Sequence, residues 1–257
     1  MIALLLGAFG LLLGLAVSEV QANGGCLADA VQVGPVCVDK FKASVWSVSD
    51  PTKVAALKAL AQGGKATLAE LTVLGATQHG VPADDYPCSH NGNDCKDKIF
   101  AFSIPGVTPS ARITWFQAQQ AAANSGKRLL SNAEWQMAAA GTPDPGASPG
   151  SQDCNIKSSG PDLTGAHAKC VSSWGVFDMV GNLWEWVADW VPLSTTCTTP
   201  LFAGDFNCLA GASTTSGPGA LLRGGDWRIG TVAGVFAVRG NVLPSHGTDV
   251  IGFRAAR

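Results

Sequence analysis

The residue types with the widest chemical reach here are eight cysteines, Cys26, Cys37, Cys88, Cys95, Cys154, Cys170, Cys197 and Cys208. A thiolate can act as a nucleophile, hold a soft metal or close a disulfide. Zinc is one candidate, but no pair has C-x-x-C spacing, and His79, His90, His167 and His246 are scattered. An even cysteine count in a chain with export features reads instead as a disulfide framework. Eight cysteines permit many pairings by count alone. Their spacing groups them as neighbours: Cys26–Cys37, Cys88–Cys95, Cys154–Cys170 and Cys197–Cys208. Each such bridge closes a short loop in a Gly/Asp/Asn/Ser-rich segment with little hydrophobic support of its own. Other catalytic signatures are missing. There is no G-x-S-x-G, P-loop or dinucleotide fingerprint, and Gly24-Gly25 and Gly63-Gly64 lack phosphate-loop spacing.

The elements that position these residues are short. Val36 to Val48 is rich in β-branched and aromatic residues and reads as a strand pair or one bent strand. Lys53 to Gly75 carries helical spacing, Val54-Leu57-Leu60 and Leu68-Leu71-Leu74, interrupted at Gly63-Gly64. Asp84 to Lys98 is a polar loop pinned by its own cysteine pair. Ile113 to Asn124 reads as a helix stopping near Gly126. Ser131 and Glu134 form the S-x-x-E capping-box pattern, with a short helix to Ala140 behind it. Gly141 to Ser151 is a Pro/Gly/Ser loop. Leu183 to Val187 alternates as a strand does, and Leu221 to Trp227 follows a turn. Two firm helices among many short strands and long loops predict an α+β fold with much irregular loop.

Composition narrows the function classes. Of 257 residues, 46% are hydrophobic and 14% charged, the latter well under the roughly 25% of ordinary domains. A net charge of −2 leaves no electrostatic footprint for nucleic acid. Residues Ile2 to Val17 are apolar and uncharged, with a small-residue cleavage pattern at Val20-Gln21-Ala22. The stretch is shorter than the roughly 20 residues that a spanning helix needs. Residues 1–22 therefore read as a signal peptide, 23–257 as one domain, and the mature chain as exported with no membrane span. Secreted, periplasmic and cell-surface destinations are all open.

Three segments carry a family resemblance: 126–141, 175–190 and 221–257. Arg128-Leu129-Leu130-Ser131-Asn132-Ala133-Glu134-Trp135-Gln136 is similar to the R-L-P-T-E-A-E-W-E element of the formylglycine-generating-enzyme (sulfatase-modifying factor) family. The G-N-x-W-E-W element is complete at Gly181 to Trp186. R-G-G-x-W and G-F-R are complete at Arg223 to Trp227 and Gly252 to Arg254. The resemblance implies the variant C-type lectin fold of that family. The copper-dependent oxidase of the family uses two thiols just after R-G-G-x-W. Here that stretch is Arg228 to Gly234, and no cysteine follows Cys208. No copper and no catalysis are therefore expected. The alternative is a fixed-function member of the family, such as a metal-dependent oxidase with a non-standard site.

Within the family, the sequence most resembles the variable proteins of diversity-generating retroelements, which display changeable residues on the same scaffold. That resemblance implies a ligand-binding surface within 221–257, facing an unknown protein or surface ligand. Its framework is Gly224, Gly225, Trp227, Gly234, Val235, Phe236, Ile251, Gly252 and Phe253. The ligand-contacting positions between are Asp226, Arg228, Ile229, Val232, Arg239, Asn241, Val242, His246, Asp249 and Val250. The family also implies a structural calcium ion, held here by Asp178, Gly181, Leu183 and Glu185, hard oxygen donors on a tight turn. A second family site would use Asn155 and Ile156, without an evident acidic partner. Competing structural roles are simpler: Asp178 caps a turn and Glu185 pairs with an arginine. Trp184, Trp186 and Trp190 are expected in the core, with Glu185 facing the opposite side of their strand. Glu134 is expected to cap its helix, and Arg223 and Arg254 to be buried-edge structural cations.

Overall fold

A computed structural model describes residues 25–144, 153–198 and 204–257. The segment read as a signal peptide, and most of the Pro/Gly/Ser loop 141–151, lie outside them. In chain order the elements begin with β1 (Ala30–Val33), β2 (Val36–Asp39), β3 (Ser44–Ser47), α1 (Val54–Gly63) and α2 (Leu68–Leu74). Then come β4 (Thr77–His79), β5 (Phe100–Phe102), α3 (Trp115–Asn124), β6 (Arg128–Leu129) and α4 (Asn132–Ala139). The C-terminal half contributes β7 (Trp184–Val191), β8 (Thr196–Thr198), β9 (Asn207–Ala210), β10 (Gly219–Arg223), β11 (Val238–Arg239), β12 (Ile251–Phe253) and β13 (Ala255–Ala256). This is an α+β arrangement. Lys53 to Gly75 resolves into two helices because Gly64 turns left-handed (φ 63°) and stops α1. Thr114 caps α3 with Gln117, so that helix starts at Trp115 and Ile113 stays in the core before it. The Ser131–Glu134 capping box forms at α4, and Arg128 clamps both Glu134 oxygens at 2.7 Å.

The central sheet has the order β12-β7-β10-β11-β9-β8. The alternation of β7 decides what lies on each side of it. Trp184 and Trp186 point into one cluster with Ile113, Leu222 and Phe253. Val187 belongs to the other cluster, with Leu130, Trp135, Met179 and Leu221, and the buried Glu185 carboxylate bonds the Trp135 indole. At the far end of the strand Trp190 departs from the expected core position. It is 42% exposed and stacks edge-on against Trp115 and Phe116 at the surface. A second sheet, β1-β2-β13-β6, ties the last residues to the first strands: Ala256 faces Val38 on one side and Arg128 on the other. Arg257 exchanges backbone hydrogen bonds with Cys37 and pairs with Asp29 at 2.9 Å. The third sheet, β4-β3-β5, packs Trp46, Phe100 and Phe102 beneath Leu57 and Leu71 of the two N-terminal helices.

All four neighbour disulfides form, Cys26–Cys37, Cys88–Cys95, Cys154–Cys170 and Cys197–Cys208. No helix among the described residues is long and apolar enough to cross a membrane.

Candidate functional site: the surface around Arg228

The C-terminal surface starts where β10 ends. Arg223 is buried, stacks over the Trp135 ring at 4.7 Å and bonds Gln136. Gly224 and Gly225 follow with φ 89° and 87°, a conformation that side chains other than glycine rarely adopt. Space demands glycine as well. A Cβ on Gly224 would lie 2.7 Å from the Met179 carbonyl, and one on Gly225 would lie 2.5 Å from the Ala233 methyl. The double turn throws Asp226, Trp227 and Arg228 across the edge of the core. The Asp226 carboxylate accepts the Arg228 amide at 2.8 Å, which fixes the direction of the next residue. Burial pushes the Asp226 carboxyl above the usual carboxylate range, against the pull of that amide and of the Arg228 charge.

Arg228 emerges half-exposed. Its guanidinium lies 5.6 Å from the Trp227 ring centre, and Nη1 is 3.8 Å from Asp249. The loop beneath is stitched to the Cys154–Cys170 segment: Gly230 donates to the Ile156 carbonyl at 2.8 Å and Ser158 to that of Trp227 at 2.9 Å. Arg239 comes from β11, between Leu222 of β10 and Cys208 of β9. Its guanidinium sits over Trp184 and Phe206, 5.6 and 5.8 Å from their centres, and Nε donates to Asn241 at 3.2 Å. Burial lowers the Arg239 pKa, the nearby Asp226 opposes the shift and the Arg228 charge adds to it.

Arg228 stands between two depressions. One, of about 360 Å³, is lined by Arg228, Arg239, Asn241 and His246 over a floor that includes Val242 and Val250. The other, of about 670 Å³, places Arg228 and Ile229 opposite Asn155, Lys157 and His167. A smaller hollow of about 190 Å³ holds Asp249 beside Trp227 and Arg112.

Six of the ten sequence-derived positions, Arg228, Arg239, Asn241, Val242, His246 and Val250, therefore line one pocket; Ile229 and Asp249 line the two neighbouring hollows, and Asp226 and Val232 line none of the three. Asp226 is 1% exposed; its carboxylate serves the turn and does not reach the surface. Val242 and Val250 are core residues, contributing only a pocket floor. Val232, in the short 3-10 turn 230–232, is half-buried and lines none of the three hollows. Phe236, placed in the framework, is 44% exposed. The sequence reading missed Thr248, which lines the smaller of the two depressions, and Lys157 and His167, which line the larger. Only the Cys154–Cys170 pairing hinted that the latter two sit on a held loop.

Two of the four residues expected to hold calcium, Leu183 and Glu185, have their oxygens taken by groups of the chain itself. Lys42 is 1% exposed, and its ammonium donates to the Leu183 carbonyl at 2.8 Å and to Glu185 Oε1 at 2.6 Å. Arg254 reaches the same carboxylate at 3.0 and 3.3 Å, and the Trp135 indole N–H donates to Oε2 at 2.7 Å. Two organic cations and an indole thus occupy the Leu183 and Glu185 oxygens that a metal would need. Burial works against the Glu185 charge, yet Arg254 and Lys42 hold its carboxyl below the usual range. Asp178 takes a left-handed turn (φ 59°); its Oδ2 accepts the Gly165 amide at 3.1 Å, its Oδ1 is buried with no hydrogen-bond partner among the described residues, and burial raises its pKa. A Cβ on Gly181 would meet the Asn155 carbonyl at 2.3 Å, so close packing requires glycine there. The Asn155 and Ile156 carbonyls accept the Asn182 and Gly230 amides. Among the described residues no group of three His, Cys, Asp or Glu side chains is arranged to hold a metal.

A family model, the sulfatase-modifying factor enzyme 1-like domain, matches residues 87–257. The chain belongs to that family. Its α+β architecture is the C-type lectin-like fold of the formylglycine-generating-enzyme type. Hercynine oxygenase of Mycolicibacterium smegmatis is 32% identical over 138 residues, covering 49% of this chain and 32% of that protein. Formylglycine-generating enzyme of Thermomonospora curvata is 35% identical over 101 residues, covering 32% of this chain and 33% of that one. The chain thus spans about a third of the length of these curated relatives. Among solved structures, the Major Tropism Determinant P3c variant aligns with TM-score 0.46 at 21% identity, over 86% of this chain and 50% of that one. Treponema denticola variable protein 1 aligns with TM-score 0.45 at 14% identity, over 88% and 97%.

Proposed function

We propose that this chain is a non-catalytic binding protein of the retroelement variable-protein kind, exported, and presenting the surface of residues 226–250 to a protein or surface ligand. One observation carries the reading. Between two buried strands, β10 and β12, the chain holds Arg228, Arg239, Asn241 and His246 toward one pocket, while residues 224, 225, 242, 250 and 251 lock the backbone beneath them. Such an arrangement lets surface side chains change without unfolding the core, as in an antibody paratope on its β-framework. The absence of any cysteine after Cys208, with all eight engaged in disulfides, leaves no thiol for the family's copper chemistry.

Sequencing the last quarter of this gene across its source population tests the reading. Replacements are expected at Arg228, Ile229, Val232, Arg239, Asn241 and His246, with Gly224, Gly225, Trp227 and Phe253 unchanged. A uniform stretch refutes a variable surface. Replacing Arg228, Arg239 and Asp249 together with Ala should preserve the fold and abolish ligand binding. The enzyme names of the curated relatives, and the His167–Asp162 pair (2.8 Å) beside the larger depression, favour a second reading as a metal-dependent oxidase. Oxygen uptake by the protein supplied with copper or iron distinguishes it.

A further inference from the structure

The pocket of about 360 Å³ has an uneven charge lining. Two guanidiniums, an imidazole, a carboxamide and the Thr248 hydroxyl line it, and no carboxylate does. The nearest acids, Asp226 and Asp249, lie 3.6 and 3.8 Å from the Arg228 guanidinium and pair with it, not with Arg239. Asp226 lies buried with its Oδ1 on the Arg228 amide, and Asp249 meets Arg228 from the neighbouring hollow. Arg239 forms no ion pair among the described residues. Its Nε is satisfied by Asn241, and its planar head is held over Trp184 and Phe206. That leaves its two terminal nitrogens as donors with no acceptor among the described residues, in an orientation fixed before any ligand arrives. A guanidinium held in this way is suited to a two-oxygen anion. Burial weighs on Arg239, the Asp226 charge offsets part of that and the like charge of Arg228 adds to it, so a bound anion would relieve what Asp226 leaves. Below the charges, the buried Val242, Val250 and Ile251 make an apolar floor, and the exposed Leu243 lines the pocket as well.

We infer that this pocket binds an oxyanion, a carboxylate or a phosphate- or sulfate-type group, carried on a small apolar body, with Arg239 and Arg228 as its charge partners. The inference rests on the binding reading above and names the ligand chemistry that the present side chains select.

The test uses the full chain with three probes of similar size, benzoate, phenyl phosphate and benzylammonium, titrated at low salt while the arginine side-chain Nε–H resonances are followed by NMR. At least one anion should saturate the Arg239 signal in the millimolar range, and the benzylammonium cation should leave it unmoved. Preference for benzoate or for phenyl phosphate then tells a planar from a tetrahedral anion. Arg239→Gln should weaken the favoured anion about tenfold, the scale of one lost charge-assisted contact. If that variant melts early, Arg228→Gln takes its place, read on the remaining Arg239 signal. The inference is overturned if neither anion saturates, if the cation binds equally well, or if the variant binds unchanged. The two ideas fail separately. A population varied at 226–250 with no anion binding here removes the ligand class and leaves the variable surface. Anion binding with a uniform population supports this pocket and removes the variable surface.

Discussion

Replacing Lys42 with Met tests whether an internal ammonium does the work of a structural cation. In the folded protein Lys42 Nζ serves two acceptors, the Leu183 carbonyl and Glu185 Oε1, with both side chains almost fully buried. Breaking a buried pair by removing one partner typically costs about 3–5 kcal/mol, because the survivor is left uncompensated. Glu185 is not left alone here: Arg254 and the Trp135 indole remain on it. The Leu183 carbonyl, however, loses a buried donor, worth about 1–3 kcal/mol. The net expectation for Lys42→Met is a loss of about 2–4 kcal/mol, or a fall in Tm of roughly 5–15 °C for a domain of this size. Glu185→Met should cost more, since it strands two cations, Lys42 and Arg254, in the interior. Urea titration and thermal melting followed by tryptophan fluorescence, near neutral pH, measure both variants. A loss below about 1 kcal/mol for Lys42→Met, or a smaller loss for Glu185→Met than for Lys42→Met, refutes the reasoning.

Three further outcomes follow from the same geometry. Excess EDTA or added calcium should leave the wild-type melting temperature unchanged, since a ligand that binds the native state raises it; a shift would show a metal at work. Gly225→Ala should destabilise by about 2–4 kcal/mol, from the left-handed φ and the collision with Ala233, measured by urea midpoint. Asp205 is buried, with Asp144 nearby, and its pKa is raised to about 6. A carboxyl whose folded pKa lies above its unfolded value costs stability as pH climbs past the unfolded value, in full above the folded one. Asp205→Asn should therefore stabilise by up to about 3 kcal/mol near pH 7.5 and by little near pH 4, with equal gains at both ruling out this assignment.

What could be read from the sequence was local. The period-two pattern of Trp184, Glu185 and Trp186 put indoles on one face and a carboxylate on the other. The capping box of Ser131 and Glu134 and all four disulfides involve residues close in the chain, so spacing alone carried them. The misreadings involve distance. Lys42 lies 141 positions before the Leu183 carbonyl it serves, and nothing around Lys42 marks that partner. Asp226, Val242 and Val250 are buried in a segment too irregular for a period to tell in from out. Trp190 follows the parity of Trp184 and Trp186, but the strand has by then run past the core and onto the rim.

The place of the last strand bears on how the proposed binding surface is made. Ala255 and Ala256 lie inside a sheet between β2 and β6, and Arg257 is tied back to Cys37 and Asp29. A message that acquires a premature stop or a shifted reading frame anywhere from 226 to 250 therefore loses a central strand as well as its surface. Such a product exposes the edges of β2 and β6 and becomes prey for proteases. Substitutions within the segment escape this fate, because they leave the strand in frame. The fold thus filters errors of length from changes of side chain before any ligand is met.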